Sequence, residues 1–233
     1  MDRRNIENFN RSGCASMTNK KGVIAKISYK VAKEFLLPRH YSGRTPSISH
    51  AFGWYFGEEL LAVCTFGKPA SHTLCIGVCG EEYSSRVFEL NRLCREDRLQ
   101  EPLSYFVSYC LRELGKCNLI IVSYSDTEMN HNGYIYQACN FIYTGATKVR
   151  TEKYTEGNKH SRHYDKELNN KLRKVRSPKH RYIFFAMQDK KIKKLCLESL
   201  NYPIEPYPKG ENKLYKLGDF LQPKVVNGNG VDT

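Results

Sequence analysis

The sequence predicts an α/β fold, a mixed central sheet flanked by helices, with a basic arm and an extended C-terminal tail. Three observations predict it. The first is the unit at residues 118–145. An apolar run at 119–122 ends in Ser123-Tyr124-Ser125-Asp126, and a polar loop carries His131 and Asn132. Gly133 then marks a turn, residues 134–139 allow one or two helical turns, and Ile142-Tyr143-Thr144 begins a second strand. The second is residues 87–94, where apolar and polar side chains alternate with the period of a half-buried strand. The third is residues 104–114, where Phe106, Val107, Cys110, Leu111 and Leu114 share one helical face. Strand, helix and strand in this order set polar side chains at the carboxyl end of a buried strand, where open α/β sheets bind ligands.

The remaining elements follow in order. Residues 1–22 are polar and are expected to be disordered. Residues 24–29 read as a first strand and 31–37 as a helix stopped by Pro38. A loop, Arg39-His40-Tyr41-Ser42-Gly43-Arg44, comes next. Residues 51–56 and 60–66 read as strands joined at Gly57-Glu58-Glu59, a hairpin signal. Residues 74–78 fit a short strand or the start of a helix. Pro102 suits the first position of the 104–114 helix, and Gly115 its end. Residues 146–153 continue as a strand, 154–179 form an exposed basic arm with a candidate helix at 165–175, and 182–187 are a last strand. A short basic helix at 190–199 precedes a proline-rich tail. The whole reads as a single domain at 23–200, with an extended or disordered tail at 201–233.

The formal net charge is +13 over 233 residues, and it is uneven. Residues 148–194 hold 16 Lys and Arg against 5 Asp and Glu. A clustered positive field interleaved with tyrosines and histidines suits a polyanion such as nucleic acid, whereas a solvated basic face would only aid solubility. Nine cysteines without a CxxC pair, some within apolar patterns (Cys64, Cys110 and Cys139), read as small core residues of a reducing compartment. Neither a signal peptide nor an apolar run near 18 residues is recognised, so a cytoplasmic location with no membrane partner is expected.

Three residues invite a chemical reading from the pattern alone. His40 and Tyr41 lie in a short polar loop after a proline, and Asp126 closes a buried strand. A histidine with a carboxylate can form an acid–base pair or hold a metal, with His40, Tyr41 and Asp126 as the ligand set. The plainer alternatives are a loop histidine bonded to backbone and an aspartate that caps the following turn. His131 reads as an exposed loop residue or a catalytic one.

The order of elements resembles the GNAT superfamily of acyl-CoA-dependent acetyltransferases. That resemblance implies a pyrophosphate site at residues 95–104, where a helix N-terminus welcomes an anion. It implies cofactor contacts from Arg92, Ser104 and Tyr136, with charge from Arg95 or Arg98, and Tyr136 as general acid toward a departing thiolate. The usual Q/R-x-x-G-x-G/A glycine pattern is missing from this loop.

A closer likeness is carried by Arg39-His40-Tyr41-Ser42-Gly43, Glu89-Leu90-Asn91-Arg92-Leu93, Ser104-Tyr105-Phe106, Ser123-Tyr124-Ser125-Asp126, Tyr134-Ile135-Tyr136-Gln137-Ala138, Asn140-Phe141-Ile142-Tyr143-Thr144-Gly145 and Lys179-His180-Arg181-Tyr182. In order and spacing these resemble the phage Mom family, GNAT-like proteins that modify DNA. The resemblance spans roughly residues 25–210. It implies transfer of a carbamoylmethyl-type group to the exocyclic amine of adenine, protecting phage DNA from host restriction, in the host cytoplasm if the gene is phage-borne. Acetyl-CoA or a related acyl-CoA is the implied cofactor, with iron as a further candidate. Double-stranded DNA is the implied partner, and its candidate contacts are Lys153, Lys159, Arg162, Tyr164, Lys171, Arg173, Lys174 and Arg176, with Tyr154, His160, His163 and Lys166 beside them. Two other readings compete: an ordinary acetyltransferase of small amines or proteins, and a non-catalytic DNA-binding protein.

Overall fold

The computed structural model describes residues 22–40, 45–155, 172–211 and 224–227. Strand β1 (Val23–Lys26) leads into helix α1 (Tyr29–Arg39). Ser28 caps this helix by accepting from the Val31 amide at 3.3 Å, which satisfies one of its orphan donors. The helix does not stop at Pro38 as the sequence predicts. Pro38 sits in the last turn, where its missing N–H removes a single bond, and the His40 amide still donates to the Leu36 carbonyl at 2.9 Å.

Strands β2 (His50–Phe56) and β3 (Glu59–Gly67) form the expected hairpin. The ambiguous run at 74–78 is helical: α2 (His72–Cys79) starts where Ser71 accepts from the Leu74 amide, and α3 (Glu81–Ser84) is a single turn. Next come β4 (Val87–Arg95), α4 (Leu103–Gly115), β5 (Leu119–Asp126), α5 (Tyr134–Ala138) and β6 (Ile142–Ala146). Pro102 is the N-cap of α4 rather than its first residue. Strands β7 (Arg150–Lys153), β8 (Leu172–Arg176) and β9 (Lys179–Ala186), helix α6 (Lys190–Glu198) and strand β10 (Val225–Asn227) complete the described chain.

Seven strands make one sheet in the order β1-β2-β3-β4-β5-β9-β6. Every neighbouring pair is antiparallel except β4–β5, which is parallel. This is the mixed, helix-flanked α/β sheet that the sequence predicts. Strand β5 is apolar throughout its first half because both its faces are covered. Ile121 packs with Phe52, Trp54 and Phe66 beneath Phe106, Cys110, Leu111 and Leu114 of α4. Ile120 and Val122 pack on the other face with Val87, Ile183 and Phe185, under Val78 of α2 and Cys196 of α6. Cys64, Cys110 and Cys139 are buried, as their apolar context predicts.

Three expectations change in the basic third of the chain. Residues 146–153 are not one strand: β6 ends at Ala146, and β7 belongs to a second sheet of order β10-β8-β7. The candidate helix at 165–175 is replaced where it is described, because residues 172–176 form β8, paired to β7 on one side and β10 on the other. Tertiary pairing overrides a weak helical preference there, and residues 165–171 lie outside the described set. Val225–Asn227 adds a strand where the sequence suggests only tail. The proline-rich segment at 202–210 is extended, as predicted, and it is bonded to the domain. The Glu205 amide donates to the Tyr143 carbonyl at 3.0 Å, and the Tyr207 hydroxyl to the Phe141 carbonyl at 2.6 Å.

Candidate active site and nucleic-acid interface

Strands β4 and β5 pair only from Val87–Ile120 to Leu90–Ser123, although β4 runs on to Arg95 and β5 to Asp126. At the fork the buried Ser123 hydroxyl donates to the Leu90 carbonyl at 3.1 Å. Beyond it the two strands diverge, and β4 carries a register shift against β3 between Thr65 and Phe66. Parallel strands that part in this way leave a slot at the carboxyl end of the sheet, where ligands bind in open α/β folds.

His40 follows α1 and is buried. Burial, and then the nearby charges of Arg92 and His131, lower its imidazole pKa from 6.5 to about 3. The ring is therefore neutral at physiological pH, in the form that accepts a proton or binds a metal. Arg92 lies on β4 opposite Thr65 and donates to the Asn91 carbonyl at 2.6 Å. His131 belongs to the loop after β5, and its amide donates to the Asp126 carbonyl at 3.2 Å. Arg92 and His131, on two other elements, thus lie near enough to His40 for their charges to act on its ring. His131, one of the weaker sequence candidates, shares this neighbourhood electrostatically with His40.

Asp126 takes the capping role as well as the strand-end position. Its Oδ1 accepts from the Glu128 amide at 3.1 Å and from the Ser177 hydroxyl at 2.5 Å. Its Oδ2 pairs with Lys179 Nζ at 3.1 Å. The ligand set His40, Tyr41 and Asp126 is not assembled among the described residues, since Tyr41 lies outside them and the Asp126 oxygens are engaged. No group of three or more His, Cys, Asp or Glu side chains among the described residues is placed to hold a metal ion.

Tyr136 is half-buried on α5, with its ring 5.3 Å from Tyr182 and 5.4 Å from Phe141. Ser104 lies in the first turn of α4, and its carbonyl accepts from the Cys139 thiol at 3.4 Å. The loop before α4 is closed on itself and on its neighbours. Leu99 is buried, Arg95 donates to its carbonyl at 3.2 Å, Arg98 pairs with Glu59 of the hairpin, and Arg39 pairs with Glu96 at 2.7 Å. Arg95 and Arg98 both make contacts within the protein, and both remain exposed.

Two residues that the sequence reading did not single out join the site. Glu89 stands on β4 beside the fork. Part of its surface is exposed, but protein surrounds most of it, and this burial raises its carboxyl pKa against the opposing charges of Arg92 and Lys179. Tyr124 on β5 is raised as well, by burial and then by the Glu89 carboxylate. His180 on β9 meets the Tyr143 hydroxyl at 2.8 Å. The sequence carried no signal for Glu89, which the alternation at 87–94 reads as a solvent-facing polar position.

The small sheet gathers much of the basic character. Lys153, Arg173, Lys174 and Arg176 all lie in its strands. The Tyr154 amide extends the β7–β8 pairing by donating to the Leu172 carbonyl at 3.2 Å. Lys159, Arg162, Tyr164 and Lys171, with His160, His163 and Lys166, fall outside the described residues. No helix among the described residues is long and apolar enough to cross a membrane.

Comparison with known proteins places the chain. The model of the Mom protein family matches residues 21–209. No curated protein sequence matches the chain. Solved structures similar to it include a Bacillus subtilis acetyltransferase in complex with CoA (14% identity, TM-score 0.35, 68% of this chain and 84% of that one). Others are an N-acetyltransferase from Staphylococcus aureus (9%, 0.44, 70% and 97%) and the spermidine/spermine N-acetyltransferase SpeG from Vibrio cholerae with manganese ions (9%, 0.44, 76% and 99%). The chain belongs to the Mom protein family.

Proposed function

We propose that this member of the Mom family is a transferase that modifies DNA, placing a carbamoylmethyl-type group on the exocyclic amine of adenine and so protecting the DNA from restriction. One observation carries the reading. A cationic three-stranded sheet adjoins the carboxyl end of β5, where β4 and β5 stop pairing, and a neutral buried histidine, His40, lies within electrostatic reach of Arg92 on β4 and His131 after β5. The charge suits a phosphate backbone, and the slot suits the chemistry.

In this reading the new bond forms between the exocyclic nitrogen and the donor carbon, the donor's leaving group departs, and the amine proton passes to a base. His40, held neutral by its burial, accepts a hydrogen bond from that amine and orients it, and Arg92 meets developing negative charge. Asp126 orders the loop that carries His131, and the Tyr136 hydroxyl serves the leaving group. Acetyl-CoA or a related acyl-CoA is the cofactor class. Residues of the fork, Leu90 and Ser123, and the start of α4, Leu103 and Ser104, would hold it. When bound, such a thioester would supply an acyl carbon and a thiolate leaving group, which gives an N-acyl adenine, whereas a carbamoylmethyl group is joined through its methylene carbon and needs a donor that carries its leaving group on that carbon. The glycine-free loop before α4 counts against ordinary acetyl transfer.

The test is mass spectrometry of nucleosides from plasmid DNA of cells expressing the chain, beside His40→Ala. A heavier deoxyadenosine that the variant lacks is the expected result. Unmodified nucleosides from cells that also express the remaining phage genes would sink the reading.

A further inference from the structure

A hollow of about 380 Å³ opens between the small sheet and the carboxyl end of β5. We propose that this hollow receives the target base, turned out of the duplex, an inference that rests on the DNA reading above. The ligand class is a purine carrying an exocyclic amine.

The walls suit a flat heteroaromatic ring. Val149, Val175 and Pro178 present apolar surface, and the volume lies in the range of small-molecule sites. Two hydroxyls at the rim are turned into the protein, Thr127 donating to the Pro178 carbonyl at 2.8 Å and Ser177 to Asp126. Glu128 brings a carboxylate, which accepts from an exocyclic amine, and Lys224 an ammonium, which donates to a ring nitrogen. An enzyme that works on a base amine needs the base out of the stack, and reads it by such edge contacts between apolar surfaces.

The strand register sorts the nearby cations. Val175 is the partner of Thr151, and its amide donates to the Lys224 carbonyl at 2.9 Å. Two residues along, the same face of the sheet carries the partners Arg173 and Lys153, since side chains alternate between faces. Lys153, Arg173 and Lys224 therefore share the face that borders the hollow. Lys174 and Arg176 lie on the opposite face, where Arg176 pairs with Glu152 at 3.4 Å. Phosphates held by the first three would bring one nucleotide to the hollow. Thr127 and Glu128 on its wall belong to the same loop as His131, so a base seated there lies beside the loop that reaches the site around His40.

The experiment uses the full chain and duplex DNA with 2-aminopurine opposite a mismatched base. Stacking quenches this fluorophore, and aliphatic walls do not. Binding of the wild-type protein should raise its emission severalfold. Val149→Phe and Val175→Phe fill the hollow without adding charge. Each should keep DNA affinity within about twofold and cut the rise about fivefold or more. Val149 is exposed and outside the strands, so that variant remains decisive if Val175→Phe fails to fold. A full rise in Val149→Phe, or wild-type binding with no rise, would overturn the assignment while leaving DNA binding intact. Failure of the wild-type protein to bind DNA at all would instead remove the reading beneath it.

Discussion

Lys179 at the start of β9 and Asp126 at the end of β5 form an ion pair, Nζ to Oδ2 at 3.1 Å, that joins the last residue of β5 to the strand beside it. The same carboxylate receives the Ser177 hydroxyl and the Glu128 amide, so three donors from two segments converge on it. Asp126 therefore holds the end of the sheet and the first turn of the His131 loop in one arrangement.

The two roles of Asp126 separate by substitution. Asp126→Ala removes all three acceptor contacts and should lower stability by about 1–3 kcal/mol. Asp126→Asn keeps an acceptor oxygen and should cost less. Both should lose nucleoside modification, because the loop geometry depends on the charge of the carboxylate beside Lys179. Chemical denaturation and nucleoside mass spectrometry read the two effects. Full modification by Asp126→Asn would confine the residue to a structural role.

His40 makes stability depend on pH with a defined sign. Its folded pKa, about 3, lies below the unfolded value of 6.5, so the unfolded chain binds the proton more readily. Stability from this group is complete above pH 6.5 and is lost progressively as pH falls toward 3. His40→Gln should flatten that limb of the curve. Urea denaturation at a series of pH values between these limits measures it, and an unchanged slope would contradict the burial of a neutral ring.

Gly133 has φ of +66°, and a Cβ built there would meet the Tyr182 ring at 2.5 Å. The adjoining Asn132 carbonyl accepts from the buried Tyr182 hydroxyl at 2.6 Å and from Gln137 at 2.7 Å. Gly133→Ala should therefore destabilise by about 1–3 kcal/mol, through backbone strain and displacement of a core ring. Modification should fall with it, because His131 is two residues away. A thermal melt matching that of the wild type would show that the turn relaxes freely.

Replacing Lys171, Arg173, Lys174 and Arg176 together by glutamine should weaken DNA binding and lower the slope of log K against log salt by about 1 for each lost phosphate contact. Titrations at several salt concentrations test this. An unchanged slope would move the DNA surface away from the small sheet.

Much of the framework was legible in the sequence because its signals are local. The alternation at 87–94, the apolar run at 119–122 and the one-sided face of 104–114 each depend on neighbours within a turn or a strand. His40 and Asp126 were also visible as polar types in a loop and at a strand end, while Arg92 and Tyr136 entered through the resemblance to known families. Their partners were not. Lys179 and Ser177 meet Asp126 from more than fifty residues away, and Glu89 reads as an ordinary surface residue until Tyr124 and Lys179 are packed around it.

The sequence by itself determined most of the elements up to residue 145, the mixed α/β class and the region that carries the positive charge, since periodicity and composition act over short range. Tertiary structure alone decided that β9 inserts between β5 and β6, that β4 and β5 part after Leu90 and Ser123, and that residues 172–176 pair as a strand. The reason is physical: strand pairing joins residues far apart in the chain, and neither the choice of partner nor the point where pairing ends is encoded in the hydrophobic pattern of one segment.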